Sequence, residues 1–237
     1  MARIAELDSR TLERTLRKGP IVILPVGALE AHGPHLPLSA DTIQADLTAV
    51  AAAELWQALV APPISYGACT AARRFPGTVS VPAAELERTT RTVLAELVRM
   101  GARRLLVLSG HAERGHMSAL REAAEAVQSE HRGVRIAVLS DYDFVYELRG
   151  SEAPSEDGHG GLLETSRLLA LAPELVGAAR PVGRRRRSPF VVGPATSREW
   201  PESVDGDTRP ASAELGRRVQ AHVLKRLDET VPSILGR

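Results

Sequence analysis

The sequence predicts an α/β fold: a single three-layer domain over residues 1–237, with a mainly parallel central sheet flanked by helices. Short apolar runs alternate along the chain with segments of helical periodicity, a pattern typical of parallel strands joined by crossover helices. The length of 237 residues suits one large α/β domain. Neither an internal repeat nor a clear domain boundary divides the chain.

Apolar runs and helical periodicity place the individual elements in order along the chain. The predicted strands are 21–25, 59–64, 103–109 and 134–140, with a short extended piece at 78–81. The predicted helices are 9–18, one that begins at 41, 82–100, 115–130, 162–171 and 211–229. Pro62 and Pro63 interrupt the second strand, so we expect it either to lie at an edge of the sheet or to end there.

Two long segments without a regular pattern, 141–161 and 180–207, are expected to be irregular. Long loops in a compact domain tend to be lids or interface arms. We expect these two loops to determine which substrate the protein accepts.

The composition excludes several classes of protein. A net charge of +1 provides no field for nucleic acid or membrane surfaces, and no apolar stretch approaches the roughly 18 residues of a membrane span. Glycine-rich phosphate-binding loops are absent. A single cysteine, Cys69, excludes an internal disulfide framework and fits a reducing compartment. We therefore expect a cytoplasmic protein.

Polar side chains gather directly after the first buried strand, 21–25. Gly27 breaks the chain, and Glu30, His32 and Asp41 follow before the next helix is under way. Carboxylates and imidazoles at this position meet either water or a metal ion, because burying them otherwise costs free energy. Asp41 also suits a helix N-terminus, where Asp41 and the residue after it are expected to cap the helix.

The strand at 103–109 is also followed by a glycine and then by polar side chains, His111 and Glu113. The carboxyl ends of parallel strands meet at one edge of a sheet, so both clusters are expected there. Three carboxylates and two imidazoles suit Zn²⁺ or Mn²⁺, and suffice for two ions if one carboxylate bridges them. Two such ions would polarise a carbonyl and generate hydroxide from a shared water.

His159 stands between glycines in the string GHGG, ahead of Glu164. An imidazole at this place can protonate a leaving nitrogen or hold the substrate. Glu164, in the first turn of its helix, is expected either to begin that helix or to orient a histidine ligand.

The string PVGALEAHGPHLPLSADT resembles the opening motif of the creatininase family of metal-dependent amidohydrolases, and the resemblance recurs at SGHAERG, HGGLLETS and GDTRPASAELG. The resemblance implies a mostly parallel sheet between helices and a homohexamer. It implies five metal ligands, with Asp41 as the bridge: Glu30, His32, Asp41, His111 and Glu113. It also implies that His159 is the catalytic histidine.

The sequence therefore predicts an amidohydrolase that attacks a non-peptide C–N bond in a cyclic amide or formamide by a metal-bridged hydroxide, with His159 and Glu113 as catalytic residues. The cofactors are expected to be two divalent ions, Zn²⁺ or Mn²⁺ with Fe²⁺ as a further option, and the partner a small molecule. Creatinine is disfavoured, because the only tryptophans are Trp56 and Trp200 and none precedes His159 closely.

Several alternatives remain open. The segment FVVGPATSREWPESVDGD resembles family members that deformylate a formamidopyrimidine nucleotide, and other members trim peptides. A metal-free scaffold is the non-enzymatic alternative. Arg184–Arg187 fits a phosphate clamp, a solvated face or an oligomer contact. His35 is expected to line the pocket without binding metal, and the remaining histidines to be ordinary surface or helix residues: His116, His131 and His222.

Overall fold

A computed structural model describes residues 2–186 and 190–236. A five-stranded sheet, parallel throughout, forms its centre in the order β1-β3-β2-β4-β5. These strands are β1 (Ala2–Arg3), β2 (Ile21–Val26), β3 (Leu59–Val60), β4 (Arg104–Ser109) and β5 (Arg135–Ser140). The predicted parallel sheet is confirmed, and β2 lies at its middle.

Helices connect the strands and cover the sheet. They are α1 (Ser9–Leu16), α2 (Ala40–Trp56), α3 (Ala83–Arg99), α4 (Arg114–Glu130), α5 (Tyr142–Val145), α6 (Leu162–Leu171) and α7 (Ala213–Leu235). Within the described ranges, none of these helices has the length and apolar character that crossing a bilayer requires. The six longer helices agree with the predicted ones to within a few residues at most ends, and α7 continues six residues beyond its predicted end.

Alternating side chains of the buried strands divide the core between two helical layers. Ile21 and Ile23 of β2 pack with the layer of α2, α6 and α7, whereas Val22 and Leu24 pack with α1, α3 and α4. All six residues of β2 are buried, as is typical of a central parallel strand covered on both faces. This arrangement confirms the predicted three layers.

Three local predictions were wrong. The strand expected at 59–64 is only two residues long and lies between β1 and β2, so it is not at the sheet edge; it ends before Pro62 and Pro63, which was the other expected alternative. The segment 141–161 is not wholly irregular, because it contains α5 and a 3-10 turn at Tyr146–Leu148. The segment 180–207 contains a two-residue antiparallel pair, β6 (Val182–Gly183) with β7 (Gly206–Asp207).

The carboxyl ends of β2 and β4 lie side by side, since Val26 pairs in register with Ser109. The N-terminus of α2 packs directly against these ends. A Cβ on Gly110 would fall 2.1 Å from the carbonyl oxygen of Asp41, so only glycine fits at this point of close approach. The polar residues that follow the two strands are therefore brought to one edge of the sheet.

Candidate metal centre

Carboxylates and imidazoles from both strand ends converge in the interior. Asp41 faces two imidazoles: its Oδ1 lies 3.0 Å from Nε2 of His32, and its Oδ2 lies 3.0 Å from Nδ1 of His111. Nδ1 of His111 also lies 3.1 Å from Oε2 of Glu30. All four side chains are buried. Asp41 thus occupies the central position of the cluster, between the two imidazoles.

The prediction that Asp41 and Thr42 cap α2 was wrong. Ser39 occupies the N-cap position, and Asp41 is the second residue of the helix. Its carboxylate turns toward the imidazoles instead of back to the helix amides. The positive end of the α2 dipole still favours a carboxylate in this first turn.

Backbone carbonyls hold each imidazole of the site by the ring nitrogen that faces away from the carboxylates. His32 Nδ1 donates to the carbonyl of Glu30 at 2.9 Å, and His111 Nε2 donates to the carbonyl of Ala68 at 3.2 Å. His159 Nε2 donates to the carbonyl of Ala31 at 2.8 Å. Hydrogen bonds of this kind orient metal-binding histidines and select the tautomer whose other nitrogen is free.

The charges of the cluster shift its pKa values strongly. Burial alone would lower the pKa of His32, but the carboxylates of Asp41 and Glu164 outweigh it and raise that pKa to about 10. Burial would raise the pKa of Asp41, yet the adjacent His32 and His111 hold it below its ordinary value. Imidazolium protons therefore offset the buried carboxylates, and a divalent cation can replace those protons.

Two orphaned oxygens mark where cations fit. Oε2 of Glu30 and Oδ2 of Asp41 are buried, and neither accepts a hydrogen bond of acceptable geometry, although His111 lies close to both. Leaving charged oxygens buried in this way is costly unless a cation satisfies them. Oxygen and imidazole ligands are the donors that Zn²⁺ and Mn²⁺ accept.

Glu164 belongs to this cluster, although the sequence indicated only a helix start or a histidine-orienting role. Its carboxylate lies with the imidazole of His32 and the carboxylate of Asp41 in a triad whose potential ligand atoms are all within 4.8 Å of one another. Gln44 and the amide of Gly160 donate to it at 2.9 and 2.7 Å, and the Tyr142 hydroxyl donates as well. In the sequence, the string HGGLLE indicates Glu164, because it places this residue one helical turn after the glycines.

Glu113, a predicted ligand and catalytic residue, lies on the pocket wall and outside the triads found among the described residues. Its two carboxylate oxygens each accept a hydrogen bond at 3.1 Å, from the amides of Thr70 and Ala71. Glu113 thus ties the loop before α3 to the end of β4.

His159 lies over the cluster and is half-buried. Its ring stacks on that of His32 with centroids 4.1 Å apart, and its Nδ1 lies 3.9 Å from Oε2 of Glu30. The buried indole of Trp200 covers its other side, with centroids 4.9 Å apart. A tryptophan therefore reaches the site from a segment that is distant in sequence. The sequence prediction considered only the residues just before His159 and so did not identify it.

A pocket of about 370 Å³ opens above the cluster. Its floor includes Glu30, Asp41 and His111, and its walls include Tyr146 and Trp200. This volume suits a small organic molecule.

Two further histidines and the cysteine are buried around the site. His116, expected to be an ordinary surface or helix residue, lies in α4 but is fully buried: its ring centroid lies 4.8 Å from that of His111, and its Nε2 donates to Ser109 Oγ at 3.1 Å. His35 is also buried and bonds Thr165 at 2.8 Å, away from the pocket lining. Cys69 forms a further buried group with Glu30 and His111, and burial raises the pKa of its thiol to about 11.

The arginine run 184–187 is only partly described, because Arg187 lies outside the described residues. Arg185 lines the pocket, where its guanidinium lies 3.8 Å from the centroid of the Trp200 ring and pairs with Asp205 at 3.3 Å. The phosphate-clamp hypothesis for this run remains a prediction.

Comparisons with known proteins show which family this chain resembles. The family model described as "Creatininase: Creatinine amidohydrolase" matches residues 5–231. The "Creatinine amidohydrolase" of Pseudomonas putida is 35% identical over 198 residues, which cover 76% of this chain and 75% of that protein. The "Mycofactocin precursor peptide peptidase" of Mycobacterium ulcerans (strain Agy99) is 34% identical over 245 residues, covering 93% of this chain and 88% of that protein.

Solved structures share the fold. The crystal structure of a creatinine amidohydrolase (creatininase) superposes with a TM-score of 0.87 at 28% identity, covering 99% of this chain and 98% of that one. Two further creatininase structures, with TM-scores of 0.87 and 0.86, are described as a Zn-Zn type and a Mn form.

Proposed function

The chain belongs to the creatininase family of amidohydrolases, and from this premise we propose that it cleaves a non-peptide C–N bond of a cyclic amide or formamide with the help of two divalent metal ions. The observation that carries the proposal is the central carboxylate of Asp41, which faces His32 on one side and His111 on the other. One carboxylate between two sets of ligands is what a pair of adjacent ions requires.

The proposed metal ligands are four of the residues predicted from the sequence, joined by one from α6: Glu30, His32, Asp41, His111 and Glu164. The ligand and catalytic roles expected of Glu113 remain a prediction, because its carboxylate lies outside the described triads and accepts hydrogen bonds from the amides of Thr70 and Ala71. The orphaned oxygens of Glu30 and Asp41 support this set, as do the imidazoles held from behind by backbone carbonyls. When bound, two such ions supply polarisation of a carbonyl and a water molecule of lowered pKa. Zn²⁺ and Mn²⁺ are the proposed ions, since related structures are described as zinc and manganese forms.

His159 is the proposed proton donor to the leaving nitrogen. Its Nε2 is engaged by the carbonyl of Ala31, so Nδ1 is the atom that exchanges a proton at the floor of the pocket. The rings of His32 and Trp200 hold the imidazole between them. A general acid held in this way contributes about 10²- to 10⁴-fold to a rate.

Buried aromatic side chains enclose the proposed reaction site. Trp200 is 1% exposed, and Tyr142 is buried with its hydroxyl on Glu164. Excluding water strengthens the electrostatic interactions within a site. These two residues therefore help the cluster to act on a carbonyl that is brought to the floor of the pocket.

Peptide trimming is the second candidate. It is favoured by the similarity to the mycobacterial precursor peptide peptidase, which extends over 93% of this chain against 76% for the creatinine amidohydrolase of P. putida. Deformylation of a nucleotide is a third candidate, and it needs an anion-binding group in the pocket. A cytoplasmic homo-oligomer, a hexamer by family resemblance, also remains a prediction.

A substrate panel tests the proposal. Protein reconstituted with Zn²⁺ or Mn²⁺ would be assayed on cyclic ureides, formamides and short peptides, with and without a chelator. We expect chelator-sensitive turnover of cyclic ureides or formamides. Turnover confined to peptides would favour the second candidate. No turnover of any class by protein that holds its metal would refute the enzymatic proposal.

A further inference from the structure

Building on the proposed function, we propose that the substrate of this pocket carries a carboxylate, and that Arg149 is the residue that binds it. The proposal concerns the class of substrate and not the chemistry at the metal centre. It rests on a guanidinium that lines the pocket and forms no ion pair with an acidic side chain of the described residues.

Arg149 lies in the pocket wall, half-buried, with its guanidinium flat over an aromatic ring. Its Cζ lies 3.3 Å from the centroid of Tyr146, and its Nε is buried with no hydrogen-bond partner. Across residues 2–186 and 190–236, no ion pair of its side chain is found within 4.0 Å. An arginine that is held in place and yet unpaired is preorganised for an external anion.

The other arginine of the pocket wall shows the contrast. Arg185 pairs with Asp205, whose Oδ1 also accepts from the Arg185 amide at 2.6 Å, so its charge is already matched within the protein. Asp157 attracts Arg149 electrostatically. Both oxygens of Asp157, however, accept hydrogen bonds from the amides of Leu162 and Leu163, at 2.6 and 3.1 Å.

An aromatic wall joins Arg149 to the metal centre. Tyr146 carries the guanidinium on its face, and its ring centroid lies 5.2 Å from that of Tyr142. The hydroxyl of Tyr142 donates to Glu164 of the cluster. One ligand can therefore contact the cluster with its carbonyl and Arg149 with a second group, along the same wall of the pocket.

A carboxylate is the group that best matches this arrangement, because the guanidinium offers a planar pair of donors that a carboxylate accepts in a bidentate manner. A neutral cyclic amide such as creatinine has no group of this kind. The inferred substrate class is an amide, ureide or formamide that carries a free carboxylate, which includes the C-terminus of a short peptide.

Ligand pairs that differ only in charge test the proposal directly. Two such pairs are hydantoin-5-acetic acid with hydantoin-5-acetamide, and N-formylglycine with N-formylglycinamide. Calorimetric titration of metal-loaded protein is expected to give about 10- to 100-fold tighter binding of the acid in each pair. We expect Arg149→Met to abolish this preference, because methionine keeps an apolar stem over Tyr146 without the charge. Arg91→Met, at an exposed ion pair with Glu130, is the matched control and should keep the preference.

Arg149→Lys, which keeps the charge without the bidentate geometry, should give an intermediate preference and serves as the second variant if Arg149→Met does not fold. Equal binding of acid and amide, no binding of any of the four probes, or a preference that survives in Arg149→Met would each overturn the proposal. Hydrolysis is measured in a separate assay. If the preference for the acid depends on Arg149 but metal-loaded protein hydrolyses nothing, the proposed function is refuted and this inference is not. If hydrolysis occurs and Arg149→Met leaves it unaffected, this inference is refuted and the proposed function is not.

Discussion

His32 Nε2 lies 3.0 Å from Asp41 Oδ1, although one residue follows β2 and the other lies in the first turn of α2. The loop between them returns the chain to the edge of the sheet, where Asp41 also meets His111 from the neighbouring strand end. This contact therefore joins two separate parts of the chain into one site. In the proposed binuclear centre, the carboxylate of Asp41 is the ligand on which both metal ions depend.

Asp41→Asn is expected to remove most of the bound metal and to lower hydrolysis by at least about 100-fold. Losing a residue that merely orients a ligand already costs 10- to 100-fold in metal affinity or activity. Metal content by elemental analysis and initial rates on the best substrate of the panel would be measured together. Asp228→Asn, at an exposed position on α7, is the matched control. An Asp41→Asn protein with unchanged metal content would rule out the bridging role.

Glu164→Gln is expected to reduce the metal content by about one equivalent per chain. Its carboxylate groups with His32 and Asp41, and an amide is a weaker ligand for Zn²⁺. Elemental analysis after dialysis would follow the loss, with Glu174→Gln at an exposed glutamate as the control. Retention of both equivalents would show that Glu164 only orients its neighbours.

His159→Gln is expected to lower kcat by about 10²- to 10⁴-fold while the metal content stays the same. The imidazole lies over the cluster with its Nδ1 3.9 Å from Glu30. It also groups with Glu30 and His32 in a triad that could hold an ion, so the metal content distinguishes the proposed proton-transfer role from a ligand role. His131→Gln serves as the control. A His159→Gln enzyme with normal kcat, or one that has lost metal in proportion to its activity, would contradict this role.

His35 is expected to make the fold sensitive to acid. Burial, helped by Arg180 and His32, lowers the pKa of His35 to about 4 from its ordinary value of 6.5. The unfolded chain therefore takes up the proton first, and the stability that neutral His35 contributes is present above 6.5 and lost as the pH falls toward 4. Between about pH 7 and about pH 5, the free energy of unfolding should fall by about 2 kcal/mol more in the wild type than in His35→Gln. Denaturant titrations at the two pH values would measure this, and equal losses would show that His35 is not buried as described.

The strand ends could be predicted from sequence because their pattern is local. Five apolar residues, a glycine and then His and Glu at a spacing of two identify a buried parallel strand with a site at its carboxyl end, as seen for β2 and β4. Pairing of Val26 with Ser109 then brings the two clusters together. Glu30, His32 and His111 were predicted from this pattern and Asp41 from the start of the following helix, and the structure brings the four side chains together.

The walls of the pocket could not be predicted, because nothing local identifies them. Trp200 reaches His159 from 41 positions away, and Arg149 meets Tyr146 only because α5 and the 3-10 turn fold a segment that lacks clear periodicity. His116 was missed for another reason. Its helical position gives no sign that Ser109 and His111 enclose it.

Metal content per chain tests the central claim most directly. The protein would be purified without added metal or chelator, analysed for its elements, and analysed again after reconstitution with Zn²⁺ and with Mn²⁺. A binuclear centre predicts about two equivalents per chain after reconstitution. Protein that binds no metal under any of these conditions would contradict the binuclear assignment and favour a scaffold that has kept the fold without the chemistry.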